Sequence, residues 1–269
     1  MGIPYAEVIG DPITHSKSPV IHKFWLEKLG IEGDYRRTRV TAEGLEAYLR
    51  ERRADPEWRG CNLTMPLKHR VEPLLDRVFP EVKVARAVNT IVRHDSGLVG
   101  TNSDMRGFAE PFRDVFPDRG TALLIGSGGA ARAIFTALAA LGFGPVEIMA
   151  RREEPRFPLA DRLLAEGRWH PLRERLPSAD LVVNATPIGM AGGPRVDFDL
   201  TALLPSAIVY DIVYNPIETP LLAAARRRGL RTVDGLTMLI GQAAYAFVHF
   251  FDGEPPRQHD AELRELLTR

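Results

Sequence analysis

Six residues, Gly126-Ser127-Gly128-Gly129-Ala130-Ala131, fit the pattern G-x-G-x-x-A, with alanine at the third small position. Each small residue answers a separate physical demand. Gly126 permits a sharp exit from a strand, Gly128 lets backbone come close to a pyrophosphate, and Ala131 keeps the following helix near the sheet. A helix starting there offers unpaired N–H groups and partial positive charge to phosphates. The context agrees: the apolar run Thr121 to Ile125 precedes the turn, the alanine-rich stretch Ala130 to Leu141 follows it, and Val146 to Met149 supplies a second strand. A β-turn-α-β unit of about 30 residues has the size of a mononucleotide-binding half. Without that context the same glycines would make an ordinary structural turn.

The end of the second strand selects between dinucleotides. A domain built for NAD places Asp or Glu there to hold the ribose 2′-hydroxyl. This chain reads Ala150-Arg151-Arg152-Glu153-Glu154. Two guanidiniums arrive first, and forked, charge-assisted bonds from Arg151 and Arg152 suit a 2′-phosphate. The expectation is therefore NADP. NAD stays open, because Glu153 or Glu154 could face the ribose, and the run also fits a solvated face of mixed charge.

Four polar clusters precede the glycine loop. His15-Ser16-Lys17-Ser18-Pro19 sets two hydroxyls two residues apart at a helix entrance, where they can bind a carboxylate or simply cap the helix. Asn62-Leu-Thr64-Met-Pro66-Leu-Lys68 follows a strand, so Lys68 can point into a cleft, although a lone lysine is usually a surface charge. Asn89, in Ala87-Val-Asn89-Thr90, suits a turn, and Asp104, in Thr101-Asn-Ser-Asp104, suits the cap of a following helix.

Taken together and in order, these clusters resemble the shikimate dehydrogenase family. That family carries H-S-x-S-P, N-V-T-x-P-x-K, A-V-N-T and N-T-D-G before a glycine loop, and N-A-T-P-x-G-M, Y-D-x-x-Y-x-P and M-L-x-x-Q after it. Here the later three read Asn184-Ala-Thr-Pro-Ile-Gly-Met190, Tyr210-Asp-Ile-Val-Tyr214-Asn-Pro216 and Met238-Leu-Ile-Gly-Gln242. The likeness runs from Val8 to Phe251. It implies that Ser16 and Ser18 bind a substrate carboxylate, that Thr64, Asn89, Tyr214 and Gln242 surround the substrate, and that Lys68 and Asp104 contact the reacting region. The candidate cofactor contacts are Gly126, Ser127, Gly128, Gly129 and Ala130 of the turn, Arg151 and Arg152 read above from their charge, and Thr186 within and Gly235 just before the later motifs. The implied reaction is reversible NADPH-dependent reduction of 3-dehydroshikimate to shikimate. Ser18, where quinate-preferring relatives carry Thr, leans toward shikimate.

Some positions depart from the pattern. Met105 stands where the family has a glycine, and a positive φ there would strain it. Thr237 replaces a frequent glycine before Met238, Lys23 stands where Asn is common after His22, and Ala150 replaces the usual Asn.

The elements that must position these groups alternate along the chain. A strand at Tyr5 to Ile9 leads through Gly10-Asp-Pro12 to a helix after Pro19, with Ile21, Phe24, Trp25 and Leu29 on one face and Gly30 at its end. Arg39-Val40, Gly60 to Thr64 and Ala87 to Arg93 read as further strands. After the glycine loop come strands at Leu181 to Val183, Ile208 to Tyr210 and Arg231 to Val233, and a helix at Leu221 to Arg228. Two helices, Leu236 to Phe251 and Asp260 to Leu267, close the chain. The expected architecture is α/β in two domains: a substrate-binding domain over residues 1–113, a Rossmann-type nucleotide domain over 114–235, and C-terminal helices over 236–269 that return to the first domain.

Composition narrows the alternatives. Thirty-five basic and 35 acidic residues give a formal net charge of zero, so neither a nucleic-acid nor a membrane partner is expected. The single cysteine, Cys61, fits a reducing compartment, and no signal peptide opens the chain, so a cytoplasmic location is expected. The seven histidines are scattered without metal-ligand spacing, so no metal is expected. Nothing separates a monomer from a homodimer. Three other readings stand beside the main one: a quinate/shikimate dehydrogenase using NAD, a non-catalytic nucleotide-binding regulator on the same fold, and a glutamyl-tRNA or folate-type dehydrogenase. The balanced charge and the first-domain motifs speak against the last.

Overall fold

A computed structural model of the chain describes residues 2–112, 120–149, 179–193 and 199–269. Arg151 and Arg152, with Ala150, Glu153 and Glu154, lie outside the described residues. Contacts divide the chain into two units, Met1–Gly107 with Ile240–Arg269, and Phe108–Leu239.

The first unit begins with β1 (Tyr5–Gly10), buried at all six positions because both sheet faces are covered there: Tyr5 and Ile9 pack into one core cluster, and Ala6 and Val8 into another. Then follow α1 (Ser18–Leu29), β2 (Asp34–Arg39), α2 (Leu45–Ala54), β3 (Trp58–Leu63), β4 (Arg77–Val78), α3 (Pro80–Ala85), β5 (Thr90–His94), β6 (Gly97–Thr101) and α4 (Ser103–Ala109). In α1, Pro19 sits in the first turn and Gly30 ends the helix at φ 64. Ile21, Phe24 and Trp25 turn inward as their spacing predicts. Leu29 does not: it is the last helical residue, where the chain already turns through Gly30, and it is 38% exposed.

The six strands lie in the order β2-β1-β3-β5-β6-β4. β1 runs parallel to β2 and β3, β5 is antiparallel to both β3 and β6, and β4 is parallel to β6. The hairpin partner β6 escapes the sequence reading, because Gly97-Leu-Val-Gly-Thr101 is too short and glycine-rich to signal a strand by itself. Ile9, Leu45, Trp58, Cys61, Leu63, Leu67 and Ile91 fill the core on one side of this sheet.

The second unit contains β7 (Ala122–Ile125), α5 (Gly129–Leu141), β8 (Val146–Met149), β9 (Leu181–Asn184), β10 (Ile208–Asp211), α6 (Pro220–Arg227) and β11 (Arg231–Val233). Its sheet is wholly parallel, in the order β11-β10-β9-β7-β8. β8 pairs on one side of β7 and β9 on the other, so the strand order reverses at β7. The glycine turn leaves the carboxyl end of that strand, which is the ligand-binding switch point of such sheets.

The helix α7 (Gly235–Phe251) starts in the second unit and continues into the first, followed by α8 (Asp260–Thr268). Ala246 and Phe250 of α7 pack with Ala6, Val8, Ile13 and Tyr35, and Lys28 of α1 bridges Glu262 of α8 at 2.9 Å. The closing helices thus return to the first unit, as expected. Among the described residues no helix is long and apolar enough to cross a membrane.

Candidate active site

Strand direction gathers the polar clusters. β1 and β3 are parallel, so the loops after Gly10 and Leu63 leave the same end of the sheet. β5 is antiparallel to β3, so its first residues lie at that end, and so does the exit of β6. Register makes this concrete: Asn62 pairs with Thr90, and Thr90 with Thr101. Four segments that are distant in sequence therefore converge, carrying Ser16 and Ser18, Thr64 and Lys68, Asn89, and Asp104.

Lys68 stands in a turn after β3. Leu67 is fully buried beneath it, and the Val88 N–H donates to the Lys68 carbonyl at 2.9 Å. The Lys68 ammonium donates to Asp104 Oδ2 at 2.5 Å, with the two side chains 15% and 9% exposed. At that burial the charges attract more strongly than in water, and removing one would strand the other. Asn89 Nδ2 donates to the second oxygen, Asp104 Oδ1, at 2.7 Å. One carboxylate oxygen is thereby fixed by an amide while the other faces the amine.

The Asn89 amide is itself oriented. Its Oδ1 accepts the backbone N–H of Ser103 at 2.6 Å, and a backbone donor has no ambiguity of assignment. Behind it, Tyr35 donates its phenol proton to Asn62 Oδ1 at 2.6 Å, and Asn62 Nδ2 donates to Thr90 Oγ1 at 2.9 Å. Sequence reasoning missed Tyr35, Thr90 and Ser103 as parts of the site. Thr90 and Ser103 adjoin marked residues, but only strand register shows that they touch.

Ser16 and Ser18 lie at the entrance of α1, their hydroxyls 3.3 Å apart, and the Ser18 N–H meets Ser16 Oγ at 3.3 Å. No acidic residue occupies the first turn of α1. The Arg37 guanidinium Nε donates to the Ser16 carbonyl at 2.7 Å and holds the loop to β2. Thr64 follows β3 with its N–H on the Ile9 carbonyl at 2.9 Å. A Cβ at Gly10 would come within 2.4 Å of the Thr64 methyl, so glycine there makes room for it. Gln242, on α7, meets Ser103 Oγ through its Oε1 at 3.2 Å.

Asp104 is not the helix cap that sequence alone allowed. α4 begins at Ser103, and Asn102 Oδ1 accepts the Met105 N–H at 3.4 Å, so Asn102 caps it and Asp104 is left for Lys68. Nor is Met105 strained. It lies within α4, and among the described residues only Arg86 and Asp252 are non-glycines at positive φ.

The second unit carries the remaining candidates. Gly126 adopts φ +124, and a Cβ there would lie 2.9 Å from the Ala185 carbonyl. Gly128 differs: its φ of −73 suits any residue, and a Cβ would meet no protein atom within 4 Å. Neither strain nor protein packing requires glycine at 128. The space a side chain would fill lies in front of the α5 N-terminus, which has no side-chain cap and no acid in its first turn. Ser127, Gly129 and Ala130 complete this turn, and Ala131 is fully buried against the sheet. These features fit a dinucleotide pyrophosphate.

Thr186 turns its hydroxyl onto Asn184 Oδ1 at 2.7 Å and accepts the Ile188 N–H at 3.1 Å, shaping the loop after β9. Gly235 starts α7 where a Cβ would strike the Ile212 and Val213 carbonyls at 2.4 and 2.5 Å. Thr237 is absorbed by the cap of that helix, its N–H donating to Asp234 Oδ1 at 3.1 Å. Tyr214 follows β10 in the same unit, half-buried.

Two α/β units, one with an amine–carboxylate pair and one with a glycine turn at a sheet switch point, define a nucleotide-dependent oxidoreductase fold. The family model for the shikimate dehydrogenase substrate binding domain matches residues 8–91. A shikimate dehydrogenase (NADP(+)) from Sphingopyxis alaskensis is 51% identical over 266 residues, 98% of this chain and 97% of the relative. Among solved structures, shikimate 5-dehydrogenase from Thermus thermophilus, in complex with NADP(H) and shikimate, aligns with a TM-score of 0.86 at 35% identity, covering 98% of this chain and all of that one. Quinate dehydrogenase from Corynebacterium glutamicum, in complex with NAD, aligns at 0.87 and 31% identity, covering 98% and 99%. The chain belongs to the shikimate dehydrogenase family.

Proposed function

We propose that this chain catalyses the reversible reduction of 3-dehydroshikimate to shikimate with NADPH, a step of chorismate and aromatic amino acid biosynthesis, in the cytoplasm. The observation that carries the reading is the 2.5 Å contact between the Lys68 ammonium and Asp104, within a family whose relatives bear this activity in their names. When bound, NADPH would supply the hydride; the turn from Gly126 to Ala130 would hold its pyrophosphate, Thr186 and Gly235 are further candidate contacts, and the sequence offers Arg151 and Arg152 for a 2′-phosphate.

The protein supplies the proton and the geometry. Ser16 and Ser18 bind the substrate carboxylate, while Thr64, Asn89, Tyr214 and Gln242 hold ring oxygens. As hydride reaches the carbonyl carbon, negative charge builds on its oxygen, and the Lys68 ammonium donates a proton to it. Lys68 is left as a neutral amine and regains its proton from solvent. Asp104 holds the amine in place, and its charge stabilises the ammonium before transfer. In the oxidative direction neutral Lys68 would take the hydroxyl proton as the bound cofactor accepted the hydride.

The test is a spectrophotometric assay of nicotinamide reduction with shikimate and quinate, each paired with NADP and with NAD. Highest kcat/KM for shikimate with NADP is the expected result. Preference for quinate with NAD would favour the reading suggested by the likeness to quinate dehydrogenase. Tight NADPH binding without turnover of either acid would favour a regulator and overturn the proposal.

A further inference from the structure

The hydrogen-bond chain behind Asp104 has a direction that can be worked out donor by donor. The Asn89 backbone carbonyl can only accept, and it lies 3.4 Å from Asn62 Nδ2, so that end of the amide is its NH2, which also serves Thr90 Oγ1, while Asn62 Oδ1 takes the Tyr35 proton. Thr90 Oγ1, accepting there, can give its own proton to Asn89 Oδ1 at 2.9 Å. Asn89 Oδ1 also takes the Ser103 N–H at 2.6 Å, which fills both of its lone pairs. The Ser103 hydroxyl lies 3.2 Å from Asn89 Oδ1 and 3.2 Å from Gln242 Oε1. With Asn89 Oδ1 filled, the acceptors left to the Ser103 proton are Gln242 Oε1 and Thr90 Oγ1, the latter 3.1 Å away and already accepting from Asn62.

We infer that Ser103 is a positioning residue for substrate recognition: by donating to Oε1, it sets which end of the Gln242 amide is oxygen. The nitrogen end then serves acceptors, the hydroxyl oxygens of a polyhydroxylated acid among them. This deepens the proposed function and rests on it, since Gln242 is read there as a substrate contact. Ser103 is fully buried and Gln242 is 8% exposed, so neither amide face is averaged by bulk water. Ser103 Oγ also accepts from Asn89 Nδ2 at 2.9 Å, which ties the same hydroxyl to the residue gripping Asp104.

The experiment compares Ser103→Ala, Ser103→Thr and Thr90→Val, each in the wild-type and the Gln242→Ala background, with shikimate and NADP as substrates. Ser103→Ala is expected to raise the KM for shikimate about tenfold, the cost of leaving buried amide atoms free to turn, with the KM for NADP little changed. Ser103→Thr keeps the hydroxyl and is expected to behave as wild type. Thr90→Val frees a lone pair on Asn89 that competes for the Ser103 proton, so a smaller rise is expected, and this variant carries the test if Ser103→Ala fails to fold. In the Gln242→Ala background neither change should raise KM further. The same rise in both backgrounds, or an unchanged KM in Ser103→Ala, overturns the inference. A wild-type protein that neither binds nor turns over shikimate would instead overturn the functional reading beneath it.

Discussion

Tyr35 lies flat on His22, ring centroids 3.9 Å apart and planes 2° from parallel. Trp25 and Phe247 close the box at 5.9 and 5.8 Å, and neither imidazole nitrogen finds a hydrogen-bond partner among the described residues. The ring is fully buried, and burial drives its pKa down to about 3. The same Tyr35 phenol starts the chain that ends at Asp104, so an apolar contact of His22 steadies the floor of the site.

The sign of the pH effect follows. A folded pKa below the unfolded value means that the unfolded chain binds the proton more readily, so stability is lost as pH falls from about 6.5 toward 3. Between about pH 7 and about pH 4.5 the loss from this residue is on the order of 2–3 kcal/mol. His22→Phe should flatten that slope in urea unfolding at the two pH values. An unaltered slope would show that His22 is not the group titrating.

Asp211 works in the opposite sense. Burial raises its pKa to about 6, against donors from Thr219, the Val213 N–H and Asn184. A raised carboxyl pKa favours the folded state while protonated, so this contribution is lost as pH rises from about 4 through 6. Asp211→Asn should remove a decline of roughly 2 kcal/mol across that window, measured by denaturant midpoints against pH in the His22→Phe background. A slope that survives the substitution would exclude Asp211 as its source.

Lys68→Ala should lower kcat by on the order of a hundredfold or more while NADPH binding, followed by fluorescence, stays intact. It also leaves Asp104 without its partner, so Lys68→Met, of similar length, serves as a second variant. Near-normal turnover in either would remove Lys68 from the chemistry.

Gly126 and Gly128 should separate folding from binding. Gly126→Ala forces a side chain into φ +124 and against the Ala185 carbonyl, and a loss of about 1–3 kcal/mol in unfolding free energy is expected. Gly128→Ala meets neither obstacle, so its stability should match wild type while its NADPH affinity falls. Equal affinity in Gly128→Ala and wild type would mean that no ligand comes close to that backbone.

The amino-acid order by itself carried the family signature, the two-layered alternation, the glycine turn and the pairing of Lys68 with Asp104 as an expectation. Short-range rules suffice for the alternation and the turn, each written in a few neighbouring residues, whereas the pairing came only from the resemblance carried by the ordered motifs. The sequence could not tell whether Asp104 would cap a helix or meet an amine, because both fit the same local pattern. Register decided it: strands β3, β5 and β6 lie side by side, so Asn62, Thr90 and Ser103 come together, and the packing of α7 then brings Gln242, 139 positions along, to Ser103. Side-chain hydrogen bonds reach about 3 Å, and only the folded sheet says which atoms come that close.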